Sequence, residues 1–134
     1  MNGGVVVKKK LLVVATLDTK GREAEVVKNR AQELGVEPLL MDIGVVGVPQ
    51  TKPDIANTQL VEAAGYTLDE LIRGHNRPRA IEVLQEGGRL MVNRLLRHDK
   101  LDGAIGIGGG TGTSVVSYIV KSLPYGLPRS WTST

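Results

Sequence analysis

The stretch from residue 102 to residue 114, DGAIGIGGGTGTS, constrains the fold more than any other part of the chain. A short apolar run at residues 104–107 ends in consecutive glycines, and apolar residues then recur at helical spacing from Val115 to Val120. This order predicts a buried strand, a tight glycine turn and a helix. Because glycine lacks a Cβ, a ligand can approach the main chain of such a turn closely. The first amides of the helix carry partial positive charge, so the turn predicts a seat for a phosphate or a carboxylate.

The glycine stretch differs from the common nucleotide motifs. No Gly-Lys-Ser/Thr follows the glycines, which excludes a P-loop, and Gly106, Gly108 and Thr111 give Gly-x-Gly without the third glycine of the dinucleotide fingerprint. We expect the backbone N–H groups of residues 109–113 to hold an anion. The alternative is a glycine turn that lets strand and helix pack closely and binds nothing. The predicted phosphate-loop residues are Gly108, Gly109, Gly110, Thr111, Gly112 and Thr113.

The composition favours an α/β fold. A chain of 134 residues has the usual size of one domain, and we expect residues 1–134 to form one. With no phenylalanine and 3% aromatic residues, the core must be built from Val, Leu, Ile and Ala, as in a parallel sheet with flanking helices. Apolar runs at residues 11–15, 36–41 and 104–107 alternate with helical patterns at residues 22–34 and 78–98. We therefore predict an open, mostly parallel Rossmann-like sheet with flanking helices, truncated as its fourth strand begins near residue 129.

The composition also argues against several functions. Zero cysteines exclude disulfides and thiolate chemistry, and two histidines argue against a zinc site. No apolar run approaches the ~20 residues that span a bilayer, and no signal peptide opens the chain, so we expect a cytoplasmic protein without membrane contact. The net charge is only +3 and aromatic stacking residues are scarce, which argues against nucleic-acid binding.

Polar residues follow the first and second predicted strands. Asp18, Thr19 and Lys20 come after the first, and Asp42 stands at the end of the second. Ligands of open α/β sheets bind at the carboxyl ends of the strands. There, Lys20 would reach a phosphate, Asp18 a ribose hydroxyl or a metal ion, and Asp42 a ribose. The alternatives are structural, with Asp18 or Thr19 capping the helix and Asp42 forming a turn.

Ordered motifs of this sequence resemble the amino-terminal domain of the Tm-1-like ATP-binding proteins, the family UPF0261. The motifs are ATLDTKG at residues 15–21, DIGV at 42–45, DI at 54–55 and LDGAIGIGGGTGT at 101–113. The resemblance implies an α/β domain that binds ATP, followed by a second domain that this chain lacks. By position, Asp18, Thr19 and Lys20 match the family's first nucleotide-facing turn, and residues 108–113 match its phosphate loop.

We therefore expect a nucleotide-binding module that takes ATP, with a magnesium ion facing Asp18 or Asp42. Two alternatives stay open. One is part of an enzyme of small-molecule metabolism, although no nucleophile–base pair and no spaced carboxylate pair names a reaction. The other is a scaffold that binds proteins through the long loop at residues 45–57 and the Gly87-Gly88 helix. An uncovered sheet edge also favours a homodimer.

Overall fold

A computed structural model describes residues 8–98, 101–110, 112–124 and 126–133 of the chain, apart from the side chains of Trp131 and Ser133. Strands and helices alternate along most of it. The elements are β1 Lys10–Ala15, α1 Leu17–Glu33, β2 Glu37–Asp42, α2 Asn57–Ala63, α3 Leu68–Gly74, α4 Arg77–Arg97, β3 Gly103–Gly108, α5 Gly112–Lys121 and β4 Arg129–Ser133.

The strands form one parallel sheet in the order β2-β1-β3-β4. In the centre of the sheet, Val14 of β1 pairs with Met41 of β2 on one side and with Gly106 of β3 on the other. The strand predicted near residue 129 is β4, whose Ser130 pairs with Ile105. The α/β class and the Rossmann-like sheet are confirmed, and the described pairs are parallel throughout.

The helices cover the two faces of the sheet unequally. Helix α1 packs on one face with a small buried cluster, formed by Val13, Ala15, Leu17, Ala24, Leu40 and Ile107. Helices α2, α4 and α5 pack on the other face around a larger cluster that includes Leu12, Val14, Met41, Leu60, Val92, Val116 and Ile119. Because α1 and α5 lie on opposite faces, the chain leaves the neighbouring strands β1 and β3 in opposite directions. This divergence is the switch point at which open α/β sheets bind ligands.

The paired glycines of α4 bring helices together. A Cβ on Gly87 would collide with the backbone carbonyl of Leu60 in α2, and one on Gly88 would collide with the Ile119 side chain of α5. Both neighbours are helices of the same domain, so the glycine pair serves helix packing within it.

Helix α1 begins at Leu17, earlier than the predicted start near residue 22. Its N-cap is Thr16, rather than Asp18 or Thr19 as predicted, and the helix is kinked at Lys20, where φ is −118° and ψ is 19°. The buried Leu17 side chain anchors this first turn against the sheet. Asp18, Thr19 and Lys20 thus belong to the helix itself. Among the described helices, none is long and apolar enough to cross a bilayer.

Candidate functional site

A surface pocket of about 210 Å³ lies at the carboxyl ends of the strands. It occupies the switch point, where the turn after β1, the loop after β2 and the turn after β3 meet the first turns of α4. Its lining residues are Thr16, Asp18, Thr19, Ile43, Gly44, Val45, Val46, Arg77, Ala80, Ile81, Leu84, Gly109, Gly112 and Val115. Apolar side chains supply much of the wall, and hydroxyls, one carboxylate and one guanidinium supply its polar groups.

The glycine turn after β3 packs against the start of α1. A Cβ on Gly112 would lie 2.9 Å from the Thr16 Cγ2 atom, and one on Gly108 would lie 2.8 Å from the Thr113 Cα atom. Gly110 has a φ of +55°, in the left-handed region that favours glycine. The glycines at 108 and 112 therefore permit close packing, and the one at 110 permits the turn itself. Gly109 and Gly112 line the pocket.

Hydrogen bonds within the turn use some of the amides that were expected to hold phosphate. The Gly112 N–H donates to the Gly109 carbonyl at 3.0 Å, and the Thr113 N–H donates to the Gly110 carbonyl at 3.3 Å. The Gly112 and Thr113 amides are therefore occupied, so residues 109–113 offer an anion fewer amide donors than predicted. Gly109 and Gly110 become the candidate amide donors, while Thr111 lies outside the described residues.

The turn after β1 brings two hydroxyls to the pocket. The Thr16 and Thr19 Oγ1 atoms are 2.9 Å apart and hydrogen-bonded, and both residues line the pocket. Either hydroxyl can also donate to an anion, since a hydroxyl has one proton and two lone pairs. Thr19 was predicted for this site from its position after the first strand. Thr16 was not predicted for the site, although the sequence places it directly after the first strand.

Asp18 lines the pocket, but its carboxylate is engaged. Its Oδ2 atom accepts hydrogen bonds from the Val46 N–H at 3.1 Å and the Gly47 N–H at 3.0 Å. These amides belong to the loop after β2. Asp18 therefore connects the first turn of α1 to that loop.

Lys20 and Asp42 do not line the pocket. The Lys20 ammonium lies 3.9 Å from a Glu23 carboxylate oxygen, one turn farther along α1. Asp42 is buried, with 2% of its surface exposed, and its Oδ1 atom accepts from the Leu17 N–H at 3.1 Å and the Gly44 N–H at 2.8 Å. Asp42 thus joins the end of β2 to the start of α1.

Burial raises the pKa of the Asp42 carboxyl above its ordinary value. The hydrogen bonds from the Gly44 and Leu17 amides oppose this increase because they stabilise the charged form, and the nearby Asp18 charge adds to it. A desolvated carboxylate is costly unless it is hydrogen-bonded. Its amide partners therefore make the charge tolerable in this position.

Arg77, the first residue of α4, is the cation that lines the pocket. In the described part of the chain, its guanidinium has no hydrogen-bond or ion-pair partner. Sequence reasoning missed it, although the basic stretch at residues 73–79 ahead of a long helix was a usable signal. Beyond Arg77, α4 contributes an apolar wall of Ala80, Ile81 and Leu84.

The pocket offers few ligands to a metal ion. Within the described residues, no group of three or more His, Cys, Asp or Glu side chains could hold one. Mg²⁺ commonly binds through one or two carboxylates together with substrate phosphates. Asp18 is the carboxylate of the lining, so a magnesium ion here would depend chiefly on phosphate oxygens.

Comparison with known proteins places this fold in a family. The model described as "Uncharacterised protein family (UPF0261) N-terminal domain" matches residues 9–134. The chain belongs to the UPF0261 family. The family resemblance predicted from the ordered motifs is thereby confirmed.

Bacterial relatives extend beyond this domain. A UPF0261 protein of Clostridium tetani is 35% identical over 126 residues, which cover 94% of this chain and 31% of the relative. A UPF0261 protein of Brucella suis is 30% identical over 125 residues, covering 93% of this chain and 30% of the relative. One from Rhizobium meliloti is 31% identical over 126 residues, covering 94% and 31%. The chain thus spans about a third of the length of these relatives.

Proposed function

We propose that this UPF0261 domain binds a nucleotide, ATP with Mg²⁺, with its phosphates at the glycine turn after β3. The observation that carries the proposal is the pocket at the switch point between β1 and β3. Gly109 and Gly112 form part of its wall beside the Thr16 and Thr19 hydroxyls. Bare backbone and hydroxyls at the end of a parallel strand are the groups with which α/β folds hold phosphate.

The charges of the pocket support an anionic ligand. Arg77 supplies a guanidinium that suits a phosphate, since guanidinium–phosphate bonds are charge-assisted and often bidentate. The Gly109 and Gly110 amides and the Thr16 and Thr19 hydroxyls complete the phosphate contacts of the proposal. Asp18 is the opposing charge, and it is already hydrogen-bonded to loop amides.

The size of the pocket indicates how much of the nucleotide it encloses. Its 210 Å³ is below the ~300–1,000 Å³ of sites that bury a drug-sized ligand. The pocket therefore encloses part of the nucleotide, and the remainder projects from the domain. In full-length relatives, which are about three times as long, further chain is available to cover that remainder.

Calorimetry with Arg77→Ala tests this proposal. We expect the 134-residue chain to bind ATP with Mg²⁺ and ADP, and Arg77→Ala to weaken binding about tenfold, equivalent to ~1.4 kcal/mol for a lost charge-assisted contact. Arg97→Ala, at the other end of α4 and exposed, is the matched control and should stay within about twofold.

Three results would contradict the proposal for this domain. Equal losses in both arginine variants would mean that general charge, not the pocket, attracts the ligand. Absence of heat at millimolar ATP, both from this chain and from the full-length Clostridium tetani relative, would remove nucleotide binding. Heat from the relative alone would show that the separate domain does not bind and would assign the activity to the longer protein.

A second candidate is a protein-binding surface on the loop after β2. Val46 and Val48, on either side of Gly47, are 91% and 83% exposed and present two apolar side chains to solvent. Light scattering that shows a nucleotide-independent dimer, lost in a Val46→Ser, Val48→Ser variant, would favour this candidate. A monomer at all concentrations would remove the homodimer form of it.

A further inference from the structure

The loop after β2 is fastened to the start of α1 along its length. We call residues 43–50 the strap. Near its beginning, the Gly44 N–H donates to Asp42 at the end of β2, and the same oxygen also accepts from the Leu17 N–H of α1. In its middle, the Val46 and Gly47 N–H groups donate to Asp18 at 3.1 and 3.0 Å. At its end, the Gln50 N–H donates to the Leu17 carbonyl at 2.8 Å, and the Gln50 Oε1 atom accepts from the Arg22 N–H at 3.2 Å.

Glycines on both sides let the strap lie directly on the helix. A Cβ on Gly44 of the strap would collide with the Asp18 carboxylate. A Cβ on Gly21 of α1 would lie 2.6 Å from the Cβ atom of Gln50. The strap and the first turns of α1 are therefore complementary in shape as well as hydrogen-bonded.

The strap is also a wall of the candidate nucleotide pocket. Ile43, Gly44, Val45 and Val46 all line it. The position of this wall depends on the hydrogen bonds to Asp18. Val46 lines the pocket, and its N–H is one of the two that donate to Asp18. Asp18 is in the first turn of α1, so the geometry of the strap is tied to that of the Thr16 and Thr19 hydroxyls.

We propose that Asp18 is a positioning residue, which fixes the strap as a pocket wall and makes no contact with the nucleotide or its metal ion. The Oδ2 atom accepts two backbone N–H groups, and acidic side chains are favoured in the first turn of a helix. These groups offset part of the carboxylate charge within the protein. The inference rests on the proposed nucleotide function for its binding readout, but the fastening of the strap can be measured without any ligand.

Asp18→Asn and Asp18→Ala separate positioning from direct contact. The asparagine Oδ1 atom can accept the same two N–H groups but carries no charge, whereas alanine can accept neither. Amide hydrogen exchange, followed by NMR, measures the strap through the Val46 and Gly47 amides. Calorimetry with ATP and Mg²⁺ measures the pocket. Asp69→Ala, which removes an exposed carboxylate in the first turn of α3, is the control.

We expect Asp18→Ala to accelerate exchange of both amides at least about tenfold, the effect of losing about 1.4 kcal/mol of protection, and to weaken ATP binding. Asp18→Asn should retain both properties within about threefold, and Asp69→Ala should change neither.

Loss of ATP binding in Asp18→Asn with the amides still protected would overturn the proposal and make Asp18 a direct ligand. Unchanged exchange in Asp18→Ala would also overturn it. If the wild-type chain binds no ATP, the proposed function fails, and the exchange measurements alone decide whether Asp18 fastens the strap.

Discussion

The turns that follow β1 and β3 meet at the same pocket but are built differently. The turn after β1 has main-chain hydrogen bonds from the Thr19 and Lys20 amides to the Thr16 carbonyl, and side chains hold it as well. Asp42 and Asp18 accept hydrogen bonds from backbone amides of α1 and the strap. The turn after β3 is held by its own main chain, through the Gly112 and Thr113 amides. Glycines let that turn pack against Thr16 and Thr113.

This difference separates the two sides of the pocket by charge. Carboxylates accept the Leu17 amide of the turn after β1 and three amides of the strap, so the negative charge of the site lies on that side. No carboxylate lies in the described part of the turn after β3. The first turn therefore fixes the shape of the pocket. Under the proposed function, the second turn supplies amides to the phosphates and the Thr16 and Thr19 hydroxyls of the first complete the contacts.

Removing Asp42 should cause the largest loss of stability. Asp42→Ala leaves the Leu17 and Gly44 N–H groups without their buried acceptor, so we expect the free energy of unfolding to fall by about 2–4 kcal/mol. Asp54→Ala is the control, because its exposed carboxylate accepts one amide, that of Leu40, and its loss should cost about 1 kcal/mol. Urea denaturation measures both variants. Equal costs would show that the turn after β1 does not depend on its buried carboxylate.

Alanine at Gly108 and at Gly110 tests the main-chain construction of the other turn. Gly108→Ala places a Cβ against the Thr113 backbone and should cost about 1–3 kcal/mol. Gly110→Ala meets open space but requires a positive φ, so about 1 kcal/mol is expected. Thermal or urea unfolding decides the order. If Gly110→Ala were the more harmful, backbone conformation rather than close packing would limit this turn.

The dependence of stability on pH should show a smaller effect from Asp42. Its pKa is raised in the folded state, so between the ordinary value of 3.8 and the folded pKa the native protein binds more protons than the unfolded chain. The contribution of Asp42 to stability is therefore greatest at acidic pH and is lost as pH rises through the folded pKa. Asp42→Asn removes this titration while keeping an acceptor for the amides.

The difference in unfolding free energy between Asp42→Asn and wild type should consequently shift in favour of the variant from about pH 4 upward. Urea denaturation over a pH series measures it. A constant difference would mean that hydrogen bonding to the carboxylate cancels the effect of its burial, and a shift toward the wild type would mean that hydrogen bonding outweighs it.

The sequence predicted the features that depend on neighbouring residues. The strand, glycine turn and helix of residues 103–121 follow from local hydrophobic spacing and from the absence of side chains at the turn. The β-strand runs and the end of α1 near Gly35 follow in the same way. The start of α1 was predicted too late, because the kink at Lys20 interrupts its pattern and the burial of Leu17 cannot be read from local spacing.

Tertiary structure decided how the polar residues are used. Asp42 meets the Leu17 amide 25 positions away, and Asp18 meets the strap amides 28 and 29 positions away. Arg77 reaches the pocket only because α4 packs across the sheet. Composition and spacing determine which segments form strands and helices, since those depend on interactions within a few residues. They do not determine which donor each carboxylate finds, because that is fixed by how distant segments pack.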